Sequence, residues 1–168
     1  MAIYYADGSN SSEGRIIKTT VQTVNTRAST TSTTYEGTGL QLTSYAAETS
    51  TNQLLITVHA PIAGKWWAAT GFGFRFERDG SQIGNIGSGG TVYNGISNCN
   101  MSAHSSDHTH HFNFMNTATL LYSPGNTTSS TYRVAWATRY TWAPLFITGQ
   151  SPNITVGTST FMIQEIAY

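Results

Sequence analysis

The amino-acid sequence predicts an all-β protein, and three observations carry that reading. Phe72, Phe74 and Phe76 alternate with Gly73, Arg75 and Glu77. Successive side chains of a strand point to opposite faces, so the three rings share one face, whereas a helix would scatter them. Charged residues make up only 10% of the chain, well under the usual quarter or so, while Thr, Ser, Gly and Asn are abundant, a mixture that favours strands and turns. Finally, no window carries a sustained helical period with helix formers and caps.

Residues 1–14 are small, polar and Gly-containing. They read as an extended, exposed N-terminal arm with Tyr4 and Tyr5 as anchors onto a partner; a frayed terminus is the plainer fate of such a segment. A β domain over 15–168 follows. Arg15 to Val24 is β-rich and partly alternating. Asn25 to Thr34 reads as a Ser/Thr-rich connector without core residues. Tyr35 to Thr43 gives a short strand with Leu40 and Leu42 on one face, and Ser44 to Asn52 a polar loop. In Gln53 to Ala60, Leu54, Ile56, Val58 and Ala60 face one way and Leu55, Thr57 and His59 the other, the pattern of a central strand with its second face half covered. Pro61 to Lys65 reads as a turn into Trp66-Trp67.

The hairpin comes next. Phe72 to Phe76 form its first arm, Asp79-Gly80 the reversal, because Gly accepts positive φ and Asp nearly does, and Ile83 and Ile86 the return. Gly84 to Gly90 is a flexible loop without the frame of a phosphate cradle. Thr91 to Asp107 reads as a long surface loop. Thr109 to Leu121 returns to strand, with a break near Asn116. Ser123 to Asn126 is a turn, and Thr131 to Arg139 alternates cleanly, with Tyr132, Val134 and Trp136 on one face. Tyr140 to Gln150 reads as an aromatic loop. Thr158 to Ala167 closes the chain as a strand with Phe161 and Ile163 inward. About eight to ten short strands at this spacing indicate an antiparallel sandwich or jelly roll.

The chain has 168 residues, enough for one domain with a real core. Eight basic and eight acidic residues cancel, and Lys18 and Lys65 are the only lysines. A nucleic-acid binder needs a basic face, which argues against that class. A neutral surface promotes association, so self-assembly is expected. The lone Cys99 excludes an intrachain disulfide. The start carries no signal-peptide pattern and no apolar run reaches membrane-spanning length, so synthesis in the cytoplasm and no membrane partner are expected.

Several stretches coincide, in order, with one family. Ser32-Thr33-Thr34-Tyr35-Glu36-Gly37-Thr38-Gly39-Leu40, then Leu54-Leu55-Ile56-Thr57-Val58, Arg78-Asp79-Gly80-Ser81-Gln82-Ile83-Gly84, the Ser123-Pro124-Gly125 turn, Ser130-Thr131-Tyr132-Arg133-Val134 and Phe161-Met162-Ile163-Gln164-Glu165-Ile166-Ala167 resemble small virion structural proteins of marine and cyanobacterial tailed bacteriophages. Met1 to Gly8 and Gly14 to Ile17 are similar too, so the resemblance spans most of the chain; Thr91 to His111, dense in histidine, departs from it. The resemblance implies a homotrimeric jelly roll of the tumour-necrosis-factor type, serving as a capsid decoration, head fibre or tail-fibre part on the virion exterior. Its partners would be sister copies and other virion proteins, above all the major capsid protein. The alternative is a receptor- or carbohydrate-binding knob of a tail fibre that engages a host surface glycan. No catalytic residues come with the resemblance.

Candidate chemistry is sparse. His104, Asp107, His108, His110 and His111 form the only dense set of metal-ligand types. His108-Thr109-His110 sets two imidazoles on one strand face, and three such pairs about a trimer axis would offer six nitrogens to one transition metal; a polar loop whose histidines bind nothing is the plainer reading. Asp107 and His108 are adjacent, which is not triad geometry, and no Gly-x-Ser-x-Gly elbow exists. Glu77 and Asp79 flank the hairpin turn and read as solvated charges rather than a glycosidase pair. No enzyme is expected. Trp66, Trp67, Tyr140, Trp142 and Phe146 lie near predicted loops, suited to stacking on sugars or to anchoring an interface, with ordinary core the plainer reading for Trp67 and Trp136. Arg133 and Arg139, opposite Val134 and Trp136, would pair with acids of a neighbouring subunit or face water.

Overall fold

The computed structural model of the chain describes residues 3–4, 10–11, 14–66, 70–84, 97–101, 110–138, 141, 145–150, 154–155 and 157–168. At strand ends bordering the other positions only the backbone is described. The elements are all strands: β1 (Ile3–Tyr4), β2 (Asn10–Ser11), β3 (Ile16–Val24), β4 (Ala28–Thr30), β5 (Glu36–Tyr45), β6 (Gln53–Trp66), β7 (Thr70–Arg78), β8 (Ser81–Ile83), β9 (Ser97–Met101), β10 (His110–Tyr122), β11 (Ser130–Thr138), β12 (Leu145–Ile147), β13 (Gly149–Gln150), β14 (Ile154–Thr155) and β15 (Ser159–Ile166). Every pairing is antiparallel. The all-β expectation therefore holds for the described residues.

Two large sheets make the fold. The first runs β3-β15-β6-β12-β4, with β10 along the other edge of β6; the second runs β5-β11-β7-β8, with β9 beside β8 on the same edge of β7. The core lies between them. From the first sheet come Leu54, Ile56, Val58, Ala60 and Ile62 of β6 and Phe161 and Ile163 of β15, and from the second Phe72, Phe74 and Phe76 of β7 and Val134 and Trp136 of β11, all buried. Burying one such aliphatic or aromatic side chain contributes about 1.5–3 kcal/mol, so period-two alternation along four central strands supplies most of the favourable term. The Phe74 ring lies 6.3 Å from Trp136 and the Phe76 ring 6.1 Å from Phe161, the second pair crossing between sheets. Among the described residues, β1 and β2 pair only with each other.

Several expectations are corrected. Pro61 to Lys65 is not a turn: β6 runs on to Trp66. Pro61 falls where β6 exchanges β15 for β12 as its neighbour, and a missing N–H is tolerated at such a junction. The segment 25–34 is not free of core residues, since β4 pairs with β12 and buries Thr30. Neither 91–107 nor 140–150 is wholly loop, because β9 pairs with β7 and β12 with β6. β10 is unbroken at Asn116, which is buried opposite Ala60. The polar stretch 44–52 buries Tyr45, Ala47 and Asn52. Ile86 and Trp67 lie outside the described residues.

Candidate functional site

Each large sheet has an outer face, and the two differ in chemistry. On the first sheet, register aligns Val21, Met162, Thr57 and Thr119 in one row and Thr19, Gln164, Leu55 and Leu121 in the next. Thr23, Thr160, His59 and Thr117 form a third row, and His59 Nδ1 lies 3.0 Å from Thr117 Oγ1. None of these twelve positions is Asp, Glu, Lys or Arg. Yet Val21 is 49% exposed and Leu121 52%, and Met115, further along β10, 59%. Three adjacent rows with bare aliphatic side chains and no Asp, Glu, Lys or Arg are unusual for a solvated surface.

The second sheet carries a charge cluster instead. Glu77, in the outward row of β7, is fully buried. Its Oε1 accepts from Arg75 Nε at 2.7 Å and lies 2.5 Å from Arg75 Nη2, while Oε2 accepts from Arg133 Nε at 2.6 Å. The Arg75 guanidinium stacks 4.1 Å from the centroid of Tyr35. Burial raises the Tyr35 hydroxyl above its ordinary value, partly offset by the Arg75 charge. The expectation that Glu77 is solvated is thus corrected: two guanidinium groups cover it. Asp79 is exposed as expected, but its carboxyl is held below the usual range, first by the Thr131 N–H it accepts at 2.8 Å and then by Ser130. It closes the hairpin turn with Gly80, their φ angles being 50° and 82°.

A second buried carboxylate sits between the sheets. Glu165 Oε1 accepts from the Glu48 N–H at 2.6 Å and from Asn52 Nδ2 at 2.7 Å, and Oε2 accepts from the Tyr45 hydroxyl at 3.3 Å. Burial, then the Glu165 charge, raises the Tyr45 hydroxyl strongly. These donors gather a carboxylate rather than a substrate, and they tie the 45–52 segment to the last strand.

The residues singled out from sequence fare unevenly. Arg133 finds its acid, Glu77, within its own chain. Tyr4 lies in β1 opposite Asn10, and Trp66 ends β6 opposite His110, which opens β10; of these only the backbone is described. Tyr5, His108, Arg139 and Trp142 lie outside the described residues. Among the described residues, no three His, Cys, Asp or Glu side chains gather to hold a metal ion, and no helix is long and apolar enough to cross a membrane. Sequence reasoning missed Glu165, Arg75 and Tyr35. A signal existed for Glu165: alternation sets it in the inward row of Phe161 and Ile163.

Comparison with known proteins adds little beyond the fold. No family model and no curated protein matches the chain. Two solved structures of infectious bursal disease virus are similar. One, of the Gx strain, has a TM-score of 0.33 and 11% identity over 99% of this chain and 42% of that one. The other, the VP2 subviral particle, has a TM-score of 0.31 and 11% identity over 91% of this chain and 38% of that one. This chain thus spans about two fifths of either. Both are viral proteins, and at such scores the likeness carries no argument about this chain.

Proposed function

We propose that this chain is a non-enzymatic virion structural protein of a tailed bacteriophage, a homotrimeric capsid decoration or head fibre on the particle exterior. Numbered one to eight, the strands β3, β5, β6, β7, β8, β10, β11 and β15 fall into sheets of order 1-8-3-6 and 2-7-4-5. That order supports a jelly roll, two Greek keys folded as a double sheet. The observation that supports self-association is the run of outward rows of β3, β15, β6 and β10 without Asp, Glu, Lys or Arg. Such rows can be covered by a sister copy without leaving a buried charge unpaired, and their bare aliphatics gain from being covered; the threefold order is the part of the proposal that sedimentation tests.

The attachment mechanism is multivalent. Three arms, residues 1–14, engage neighbouring virion subunits, above all the major capsid protein, and modest single contacts multiply into firm attachment. Deleting residues 1–14 is expected to abolish incorporation into particles, measured by mass spectrometry of purified virions, while sedimentation still gives trimers. Incorporation of the truncated chain at the normal level defeats the attachment proposal. A second reading, a glycan-binding knob, is favoured by the arginine pair of the second sheet.

A further inference from the structure

The cluster on the second sheet carries more positive charge than it consumes. Glu77 spends both oxygens on two guanidinium groups, and among the described residues no other carboxylate lies within 4.0 Å of Arg75 or Arg133. Among the described residues, Arg133 donates through Nε alone and Arg75 through Nε and Nη2. Both terminal nitrogens of the Arg133 fork therefore meet no acceptor among the described residues, on a side chain 34% exposed. Neither group is loose: Glu77 fixes one edge of each, Tyr35 backs Arg75, and β5 walls Arg133, since a Cβ on Gly37 would stand 3.5 Å from Arg133 Nη1. A held fork with unspent donors, partly withdrawn from water, suits a planar oxyanion.

From this geometry we propose that Arg75 and Arg133 form a subsite for the carboxylate of an acidic sugar. The neighbouring register positions are Gly37 and Ala135 on one side and Gln41 across from Arg133. They give a low floor and an amide, suited to sugar hydroxyls, beside the Tyr35 ring that backs Arg75 and offers a sugar an aromatic face. The cluster lies on the sheet opposite the uncharged rows, so a contact confined to those rows would not cover it. The inference deepens the glycan-binding reading and does not need the trimer.

Titration of the full chain with glucuronate and with glucose, followed by NMR shifts, tests it. Glucuronate is expected to bind at least about tenfold more tightly than glucose, because a charge-assisted fork adds more than a neutral hydrogen bond, and to weaken as salt rises. Arg133→Gln, which leaves Arg75 on Glu77, is expected to abolish the difference with an unchanged circular dichroism spectrum. Equal binding of the two sugars overturns the inference. So does glucuronate binding that survives R133Q, and so does an acidic peptide that outcompetes glucuronate, which gives the site to a protein. Host-glycan binding that shows no preference for an acidic over a neutral sugar sinks the subsite and leaves the glycan-binding reading standing, whereas no binding of any glycan sinks both.

Discussion

Glu165 shows how one residue organises a stretch that looks structureless. A buried carboxylate costs several kcal/mol in desolvation, and here the Tyr45 hydroxyl, the Glu48 N–H and Asn52 Nδ2 offset that cost. Replacing Glu165 by Leu keeps the volume roughly and removes the buried charge, but strands a hydroxyl, a backbone donor and an amide. At about 1–3 kcal/mol per buried unsatisfied group, E165L is expected to lower stability by about 2–5 kcal/mol in urea unfolding, while Glu36→Leu, at an exposed position, costs little. Equal effects would remove Glu165 from this role. Its inward row was legible from period two, but its three partners lie 113 to 120 residues upstream, a separation no local pattern spans. Glu77 was the harder case. It stands in the outward row, which reads as wet, and it is dry because Arg133 reaches it from a strand 56 residues later.

At the scale of elements, long alternating strands were legible and short ones were not. The arms of β3, β6, β7, β11 and β15 carry enough residues to display period two. β4 and β12 have three residues each, too few to show a period, and they form because β12 adds to the edge of β6 and β4 adds to β12. The β7–β8 hairpin shows both sides. Its turn was readable from Asp79-Gly80, and the bond from the Asp79 N–H to the Thr131 carbonyl, 2.9 Å, fastens it to β11. Its exit was not readable: Gly84 has φ +71°, and a Cβ there would lie 2.7 Å from Leu120 Cδ1 on β10. Gly80, at φ +82°, has no neighbour within 4 Å. Each glycine to alanine change should therefore cost about 1–2 kcal/mol for the left-handed backbone, and Gly84→Ala should cost more than Gly80→Ala. The excess should shrink when Leu120→Ala is added, a coupling that a double-mutant cycle in urea measures directly. Equal costs at the two glycines would mean that Leu120 yields freely and does not close the hairpin's exit.

For the molecule as a whole, the consequential fact is that its two outer surfaces are unlike. One holds two arginines around a carboxylate; the other is a field of Thr, Gln and aliphatic side chains across four strands. Folding leaves the second incompletely satisfied, because Val21, Met115 and Leu121 stay bare where each buried CH₂ would gain about 0.8 kcal/mol. A Lys on this face would be harmless in a monomer, since it reaches water, and would be costly in an assembly, where it would meet no acid on the facing copy. The double substitution Val21→Lys with Leu121→Lys is thus expected to leave circular dichroism unchanged and to convert the proposed trimers into single chains of 18.2 kDa by sedimentation. Substituting Thr131→Lys, on the other sheet, should leave the proposed assembly intact. A wild-type chain that sediments as a monomer at every concentration ends the case for self-assembly, and a trimer that survives both lysines on the uncharged face moves the contact elsewhere on the molecule.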